Sequence, residues 1–380
     1  MTPRKLGSFC LCLLATLLAA ACGTSSTPSG GSAAAVPAAI GHVFIIVLEN
    51  EDYDNSFGGT TAPYLAQTLP AQGVLLKQYY STGHVSNDNY DSMISGQGPN
   101  LDNQTDCQLY TDFIELSAGA DGQAVGQGCV FPTSVQTVAD QISAAGYTWK
   151  AYMEDMGNTS TRESTTCGHP ALGSEDKTQK ATAADQYATR HDPFVYFHTI
   201  IDNPVCDANV VSLKPLASDL ASISTTANYT FITPNLCHDG HDSPCADGEP
   251  GGLTSINDFL TEWVPQITGS PAFQKDGLLI ITFDESNGPQ TDSSDCCDEK
   301  AANTPLPGLT GPGGGLIGAV LLSPFIKPGT VSTTAYNHYS MLHSIEDIFG
   351  LSYLGYAATV PSSFGSDVYT AQMPVFPSKN

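Results

Sequence analysis

Past residue 40 the chain alternates short apolar runs with longer amphipathic stretches, each set off by Gly, Pro, Asn or Asp. The run 42–48, HVFIIVL, is apolar without alternation, as a strand buried on both faces requires. Runs at 229–233, 278–283 and 316–322 read the same way, and 74–80 and 147–152 add two more strands. Helices are predicted over 61–72, over 135–145 with Gly146 closing it, and over 338–349 with Gly350 closing it. Strand and helix in alternation predict an α/β fold, a three-layer α/β/α sandwich around a mostly parallel central sheet. Two stretches break the rhythm. Residues 100–132 and 157–181 are long, polar and rich in Gly, Ser and Thr. In a compact domain such segments are binding loops or lids, and disulfides would pin them.

Composition narrows the choice of partner. The 380 residues carry 38 acids against 13 bases, a formal net charge of −25. A hydrophobic content of 41% supplies a sizeable core, which argues against intrinsic disorder. So few bases cannot form a broad positive face, which argues against nucleic acid as a ligand.

The N-terminus has the form of an export signal. Arg4 and Lys5 precede an apolar run, 6–21, too short and wrongly flanked for a spanning helix. Ala19-Ala20-Ala21-Cys22 resembles a bacterial lipobox, with Ala19 where Leu is usual, so lipidation and ordinary cleavage both stay open. The expected division is a signal peptide over 1–21, a lipid-anchor Cys22 with a flexible linker over 22–40, and one catalytic domain over 41–376. A lipid on Cys22 would be the membrane attachment of an exported protein.

Eight cysteines remain beyond that point, an even number that suits disulfides outside the cytoplasm. Cys237 and Cys245 form the most local pair. Cys296 and Cys297 are expected to take separate partners, since adjacent Cα atoms stand only about 3.8 Å apart. A zinc–thiolate cluster is disfavoured, because paired C-x-x-C spacing is missing.

Chemistry gathers where the apolar runs stop. In an open α/β sheet ligands bind beyond the carboxyl ends of the strands. Glu49 and Asn50 follow the first run; Asn235, His238, Asp239, His241 and Asp242 follow the run at 229–233; Asp284 and Glu285 follow that at 278–283. One such carboxylate can be a helix cap, but three ends converging on one edge form an O/N cage for a divalent cation. An EF-hand over 284–288 is excluded, since its acidic ladder is out of register. Ser86 sits at a predicted strand-to-helix turn, where it reads equally as a nucleophile or as an N-cap. His191, after Arg190, reads as a surface turn residue or a catalyst.

Six segments in order carry a resemblance to a known family. They are 42–50 with 53–58 (HVFIIVLEN, then YDNSFG), 83–90 (GHVSNDNY), 187–197 (YATRHDPFVYF), 234–242 (PNLCHDGHD), 281–285 (ITFDE) and 337–340 (NHYS). Together they resemble the bacterial phosphoesterase family of secreted acid phosphatases and phospholipases C, which has an alkaline-phosphatase-like fold. The resemblance spans about 42–351. It implies metal binding by Glu49, Asn50, Asp284 and Glu285, with Asp242 beside them. It implies Ser86 as the nucleophile of a phosphoryl-enzyme, with His191 and His241 stabilising phosphate or handling protons. Asn89, His84 and His338 would face the substrate phosphate. Val85, Asn87 and Asp88 depart from the family's "GHPSxPNY", and Cys237-His238-Asp239 departs from "PNxxNDMHD", which adds a ligand or a disulfide there.

The reading that follows is an exported metal-dependent acid phosphatase acting on small phosphomonoesters through a phosphoseryl intermediate. Its alternatives are a phospholipase C and a non-catalytic, lipid-tethered surface binding protein. A sulfatase is disfavoured, because the C/S-x-P-x-R modification motif is missing at Ser86. The metal, within Ca, Mg, Mn, Fe or Zn, and the oligomeric state are open.

Overall fold

The computed structural model describes residues 40–360 and 362–369. The expected signal peptide, Cys22 and nearly all of the linker lie outside the described residues, as does the end of the expected domain at 376.

Eight strands form the central sheet: β1 (His42–Leu48), β2 (Val74–Leu76), β3 (Trp149–Met153), β4 (Val210–Ser212), β5 (Tyr229–Thr233), β6 (Gly277–Phe283), β7 (Ala319–Leu322) and β8 (Thr330–Ser332). Their order is β8-β2-β7-β6-β1-β5-β3-β4. Only β7 runs against its neighbours, so the sheet is mostly parallel, as the alternating pattern predicts. β1 is buried at every position, which is why its sequence shows no alternation.

The register places helices on both faces. Ile45 pairs with Phe231, so those two side chains share a face and Phe44 takes the other. Phe231 meets Tyr90 of α1 (Ser86–Ser95), with ring centroids 6.3 Å apart. Phe44 meets Phe273 of α4 (Pro271–Asp276), also at 6.3 Å. With α1 lie α2 (Val138–Ala144) and α5 (His338–Phe349); with α4 lies α3 (Gly252–Thr268). The result is an α/β/α sandwich.

Local chemistry explains where prediction and structure part. The helix expected over 61–72 is a wide π-turn, Tyr64–Thr68, followed by one α-turn, Leu69–Gln72. Pro70 there has no N–H to give to a continuous ladder. The strand expected over 74–80 is two: β2, and Tyr79–Tyr80, which pairs with Tyr336–Asn337 in a separate ladder. α2 starts at a capping box, in which Thr137 and Asp140 each bond the other's backbone. α5 spans the predicted 338–349 and stops at Gly350 with φ +66°.

The cysteines pair as Cys107–Cys129, Cys167–Cys206, Cys237–Cys245 and Cys296–Cys297. The first lies inside the long segment 100–132, and the second ties the segment 157–181 to the helix Val205–Asn209. Cys296 and Cys297 correct the expectation of separate partners. The six other described cysteines pair among themselves, and positive φ at Cys297 and Asp298 turns the chain so that neighbours meet.

Candidate active site

Three adjacent parallel strands, β6, β1 and β5, stop at one edge of the sheet. Glu49 follows β1, Asp284 and Glu285 follow β6, and Asp239 stands on the loop after β5. Backbone bonds draw the three ends together. Asp284 N–H donates to Leu48 O at 2.8 Å, and Glu49 N–H donates to Asp239 O at 2.8 Å.

Glu49, His191 and Asp239 are buried, and their ligand atoms lie within 4.8 Å of one another. His191 Nδ1 is 3.1 Å from Asp239 Oδ2, and His191 Nε2 is 3.4 Å from Glu49 Oε1. Neither Nε2 nor Oε1 has a hydrogen-bond partner, and neither does Asp284 Oδ2. With Nδ1–H donating to Asp239, Nε2 turns a lone pair towards the Glu49 oxygen. Two buried acceptors facing each other need a cation or a proton between them. Burial first, then repulsion from Asp284 and Asp239, holds the Glu49 carboxyl well above its ordinary range. Burial, then Glu285, pushes Asp284 up to about 8, and burial likewise raises Asp239. Burial first, and then Arg190 and His241, lowers His191, so its imidazole is neutral and able to ligate. The donor set of carboxylates and imidazole thus fits a divalent cation.

Ser86 is the first residue of α1, and its Oγ donates to Glu49 Oε2 at 2.9 Å. The N-cap position belongs to Val85, so the capping alternative for Ser86 does not describe this turn. Val85 holds φ +102°, a costly conformation for a β-branched residue, and it directs the chain into the helix.

Four of the expected residues hydrogen-bond within the protein, while His84 Nδ1 is left without a hydrogen-bond partner. Asn89 Oδ1 accepts from Gly83 N–H at 2.9 Å and Ser81 Oγ at 2.9 Å, while its Nδ2 donates to Gly83 O at 3.0 Å. His84 Nδ1 lies 3.3 Å from Glu285 Oε1, and its Nε2 is 2.7 Å from Asp292 O. Burial alone would lower His84, but the neighbouring Glu285 carboxylate outweighs it and raises it. His338 Nε2 is 2.7 Å from Asp284 O and its Nδ1 is 3.3 Å from Tyr79 Oη; burial lowers it to about 4. Glu285 Oε2 accepts from Val85 N–H at 2.5 Å and from Asn89 Nδ2 at 3.2 Å. Asn89, His84 and His338 brace the Ser86 turn and the Asp284 strand end. Glu285 clamps that turn too. Buried polar groups bond to whatever lies nearest, and here that is the protein.

Asp242 stands apart from the buried carboxylates. It is half-buried, with Oδ1 2.8 Å from His241 Nδ1. His241 Nε2 is 3.1 Å from Arg190 Nη2. Asn50 holds φ +56°, and its N–H donates to Asp284 Oδ1 at 3.1 Å. Asn50 and His241 line a cavity of about 420 Å³, together with Glu51, Thr254 and Asn287. A larger cavity, about 620 Å³, is lined by Thr111, Ile114, Leu116 and Leu172 on the long loops, away from the residues around Ser86. Arg190, and Asp106 with its Oδ2 3.5 Å from Arg190 Nε and its Oδ1 accepting from Asn87 N–H at 3.2 Å, border the site without lying at a strand end. No periodicity marks either of them.

This sheet edge sets a helix-start serine on a buried carboxylate beside a cluster of cation-ligand type. A model of the Phosphoesterase family matches residues 60–352, and the chain belongs to that family. It is 25% identical over 318 residues to the probable acid phosphatase of Kluyveromyces lactis, covering 84% of this chain and 60% of that protein. The chain therefore spans less than two thirds of that relative. It is also 25% identical over 349 residues to the phosphatidylinositol-3-phosphatase of Mycobacterium tuberculosis, covering 92% of this chain and 89% of that protein. Among solved structures, the crystal structure of Ps i-CgsB is 13% identical at a TM-score of 0.50, covering 87% of this chain and 76% of that one. That likeness concerns the fold.

Proposed function

We propose that the protein is an exported, metal-dependent phosphomonoesterase of the acid phosphatase type that works through a phosphoseryl intermediate on Ser86. The observation that carries this reading is the 2.9 Å bond from Ser86 Oγ to Glu49 Oε2, made at a helix start beside a buried carboxylate and imidazole cluster. Family membership supports it, as do relatives named acid phosphatase and phosphatidylinositol-3-phosphatase. Four disulfides support export.

A divalent cation held by Glu49, His191 and Asp239, with Asp284 beside them, would supply Lewis-acid stabilisation of a phosphoryl oxygen. The chain's own groups do the rest. Ser86 Oγ attacks phosphorus as its proton passes to Glu49 Oε2, and the bond from phosphorus to the alcohol oxygen breaks. The departing alcohol takes a proton from solvent at the 420 Å³ cavity, where half-buried His241, held by Arg190 and Asp242, stabilises the phosphoryl group. Water then attacks the phosphoserine, the P–Oγ bond breaks, and the serine regains its proton. The α1 start, Val85 and Glu285 hold Ser86 in place during both steps.

The test is turnover of p-nitrophenyl phosphate by wild type and Ser86→Ala, with and without chelator, beside phosphatidylcholine as a diester control. Wild-type turnover of the monoester, abolished by Ser86→Ala and by chelator, is expected. Full activity in Ser86→Ala removes the nucleophile assignment. Preference for the diester moves the protein to a phospholipase C, and no turnover of either ester moves it to a binding protein.

A further inference from the structure

A phosphoryl group at Ser86 would enter a crowd of carboxylates. Asp88, fully buried and without a hydrogen-bond partner, feels Glu285, Asp106 and Asp284, and Glu49 and Asp239 stand beside Ser86 and His191. Such a site repels a phosphate dianion unless fixed positive charge is built into it. Charge counting along the sequence assigns that work to the cation, the imidazoles and backbone amides. The structure adds a guanidinium.

Arg190 is 2% exposed. Its Nη2 is 3.1 Å from His241 Nε2, and its Nε is 3.5 Å from Asp106 Oδ2 without a hydrogen bond in that direction. Its carbonyl accepts from Nδ2 of Asn87, the residue after Ser86, at 3.5 Å. Of this buried guanidinium only Nε has no hydrogen-bond partner, which is costly unless an acceptor completes it, and a planar guanidinium fork suits phosphoryl oxygens. Asp106 fixes where that fork lies. Its Oδ1 accepts from Asn87 N–H at 3.2 Å while Oδ2 faces Arg190, so one carboxylate ties the start of α1 to the guanidinium. Gln179 closes the ring: its Nε2 donates to Asp106 O at 3.0 Å, and its O accepts from Arg190 Nη1 at 3.5 Å. Asp106 itself is held at φ +55° beside Cys107, whose disulfide to Cys129 anchors the long segment and whose Sγ lies 3.3 Å from Asn87 Oδ1.

We infer that Arg190 binds the phosphoryl group handled at Ser86, and that Asp106, carried in by the disulfide-anchored segment 100–132, is the residue that positions it. The inference rests on the phosphomonoesterase reading for the reaction, but its anion-binding content can be measured without turnover.

The experiment is calorimetric titration of the full metal-loaded chain with inorganic phosphate, for wild type, Arg190→Met, Arg190→Lys and Asp106→Asn. Metal content, melting temperature and the KM and kcat for p-nitrophenyl phosphate are recorded alongside. Loss of a charge-assisted pair predicts phosphate binding weaker by on the order of 10- to 100-fold in Arg190→Met, partly restored in Arg190→Lys. Asp106→Asn is expected to weaken phosphate binding by a smaller factor, with metal content unchanged. If Arg190→Met does not fold, Arg190→Lys and Asp106→Asn decide. Phosphate affinity equal to wild type in the folded variants overturns the inference, whatever the catalytic rates. Affinity that falls as described, in a protein that hydrolyses no phosphoester, upholds the anion site and contradicts the phosphomonoesterase reading instead.

Discussion

Ser86 Oγ donates to Glu49 Oε2 at 2.9 Å, joining the first residue of α1 to the end of the central strand β1. The other oxygen of the same carboxylate lies 3.4 Å from His191 Nε2. One buried carboxylate therefore touches both the candidate nucleophile and the candidate cation cluster. Anything that moves Glu49 moves the two together.

Asp239 and Asp242, three residues apart, are expected to separate cleanly. Asp239 is buried against His191, while Asp242 is half-buried against His241. Asp239→Asn should release the metal and leave activity lower by orders of magnitude. Asp242→Asn should keep the metal and lose activity more mildly. Elemental analysis of the dialysed variants checks both, and metal loss on the Asp242 side alone contradicts this arrangement.

Gly240, between Asp239 and His241, holds φ +101°, and a Cβ there would lie 2.4 Å from Ile256 Cδ1. Gly240→Ala should cost about 1–3 kcal/mol of stability, through a disfavoured backbone and an overfilled core. Displacing Asp239 should also weaken metal binding. Denaturant unfolding and a metal titration measure the two effects, and a variant matching wild type in both would refute the argument.

Cys107 and Cys129 close a stretch whose cysteines are 22 positions apart, and Cys107 lies against Asn87, the residue after Ser86. Replacing both by Ser should lower stability by about 3 kcal/mol on the chain-entropy model. It should also reduce kcat, because Asp106 and Asn87 lose their anchor. Replacing Cys167 and Cys206 should reduce stability with a smaller effect on kcat. Equal kcat losses in the two double variants would argue against a specific role for the first bridge.

Glu346, buried on α5, accepts from Leu354 N–H at 2.8 Å, and its Oε2 has no partner. Burial first, then Asp347, raises its pKa from 4.5 to about 8. The raised value means that the folded protein holds this proton where the unfolded chain has released it. Its contribution to stability is fully present below 4.5 and is lost as pH rises through about 8. Within that window the wild type loses up to about 1.4 kcal/mol per pH unit from this group. Glu346→Gln keeps an acceptor for Leu354 and cannot ionise. Relative to wild type it should gain stability from about pH 5 to about pH 9. Melting curves at both ends check this, and a stability difference that does not vary with pH would exclude it.

The sheet was readable because its central strands are unbroken apolar runs, and the site was readable in part because polar residues start abruptly after Leu48, Thr233 and Phe283. What stayed hidden depends on partners far away in the chain. Glu285 follows β6 just as Asp284 does, and its carboxylate meets Asn89, 196 residues away. His338 meets Tyr79, 259 residues away. Spacing cannot report such satisfaction, so bracing residues and ligands look alike. Asp239 and Asp242 share one loop, and only the bend at Gly240 decides which of them turns inward. Arg190 and Asp106 lie in irregular segments, and a charge there reads as surface until burial is known. Pro70 and the Cys296-Cys297 pair were visible as residues, but their effect is on backbone shape, which hydrophobic periodicity does not record.

If Ser86 is the nucleophile, it carries the phosphoryl group between the two steps. Mixing the metal-loaded protein with a phosphomonoester, quenching in acid and mapping peptides by mass spectrometry tests it most directly. One added phosphoryl group is expected on the peptide containing Ser86, absent from Ser86→Ala and from chelated protein. Turnover of the ester with a covalent phosphoryl group on another residue, or undiminished turnover in Ser86→Ala, would contradict it.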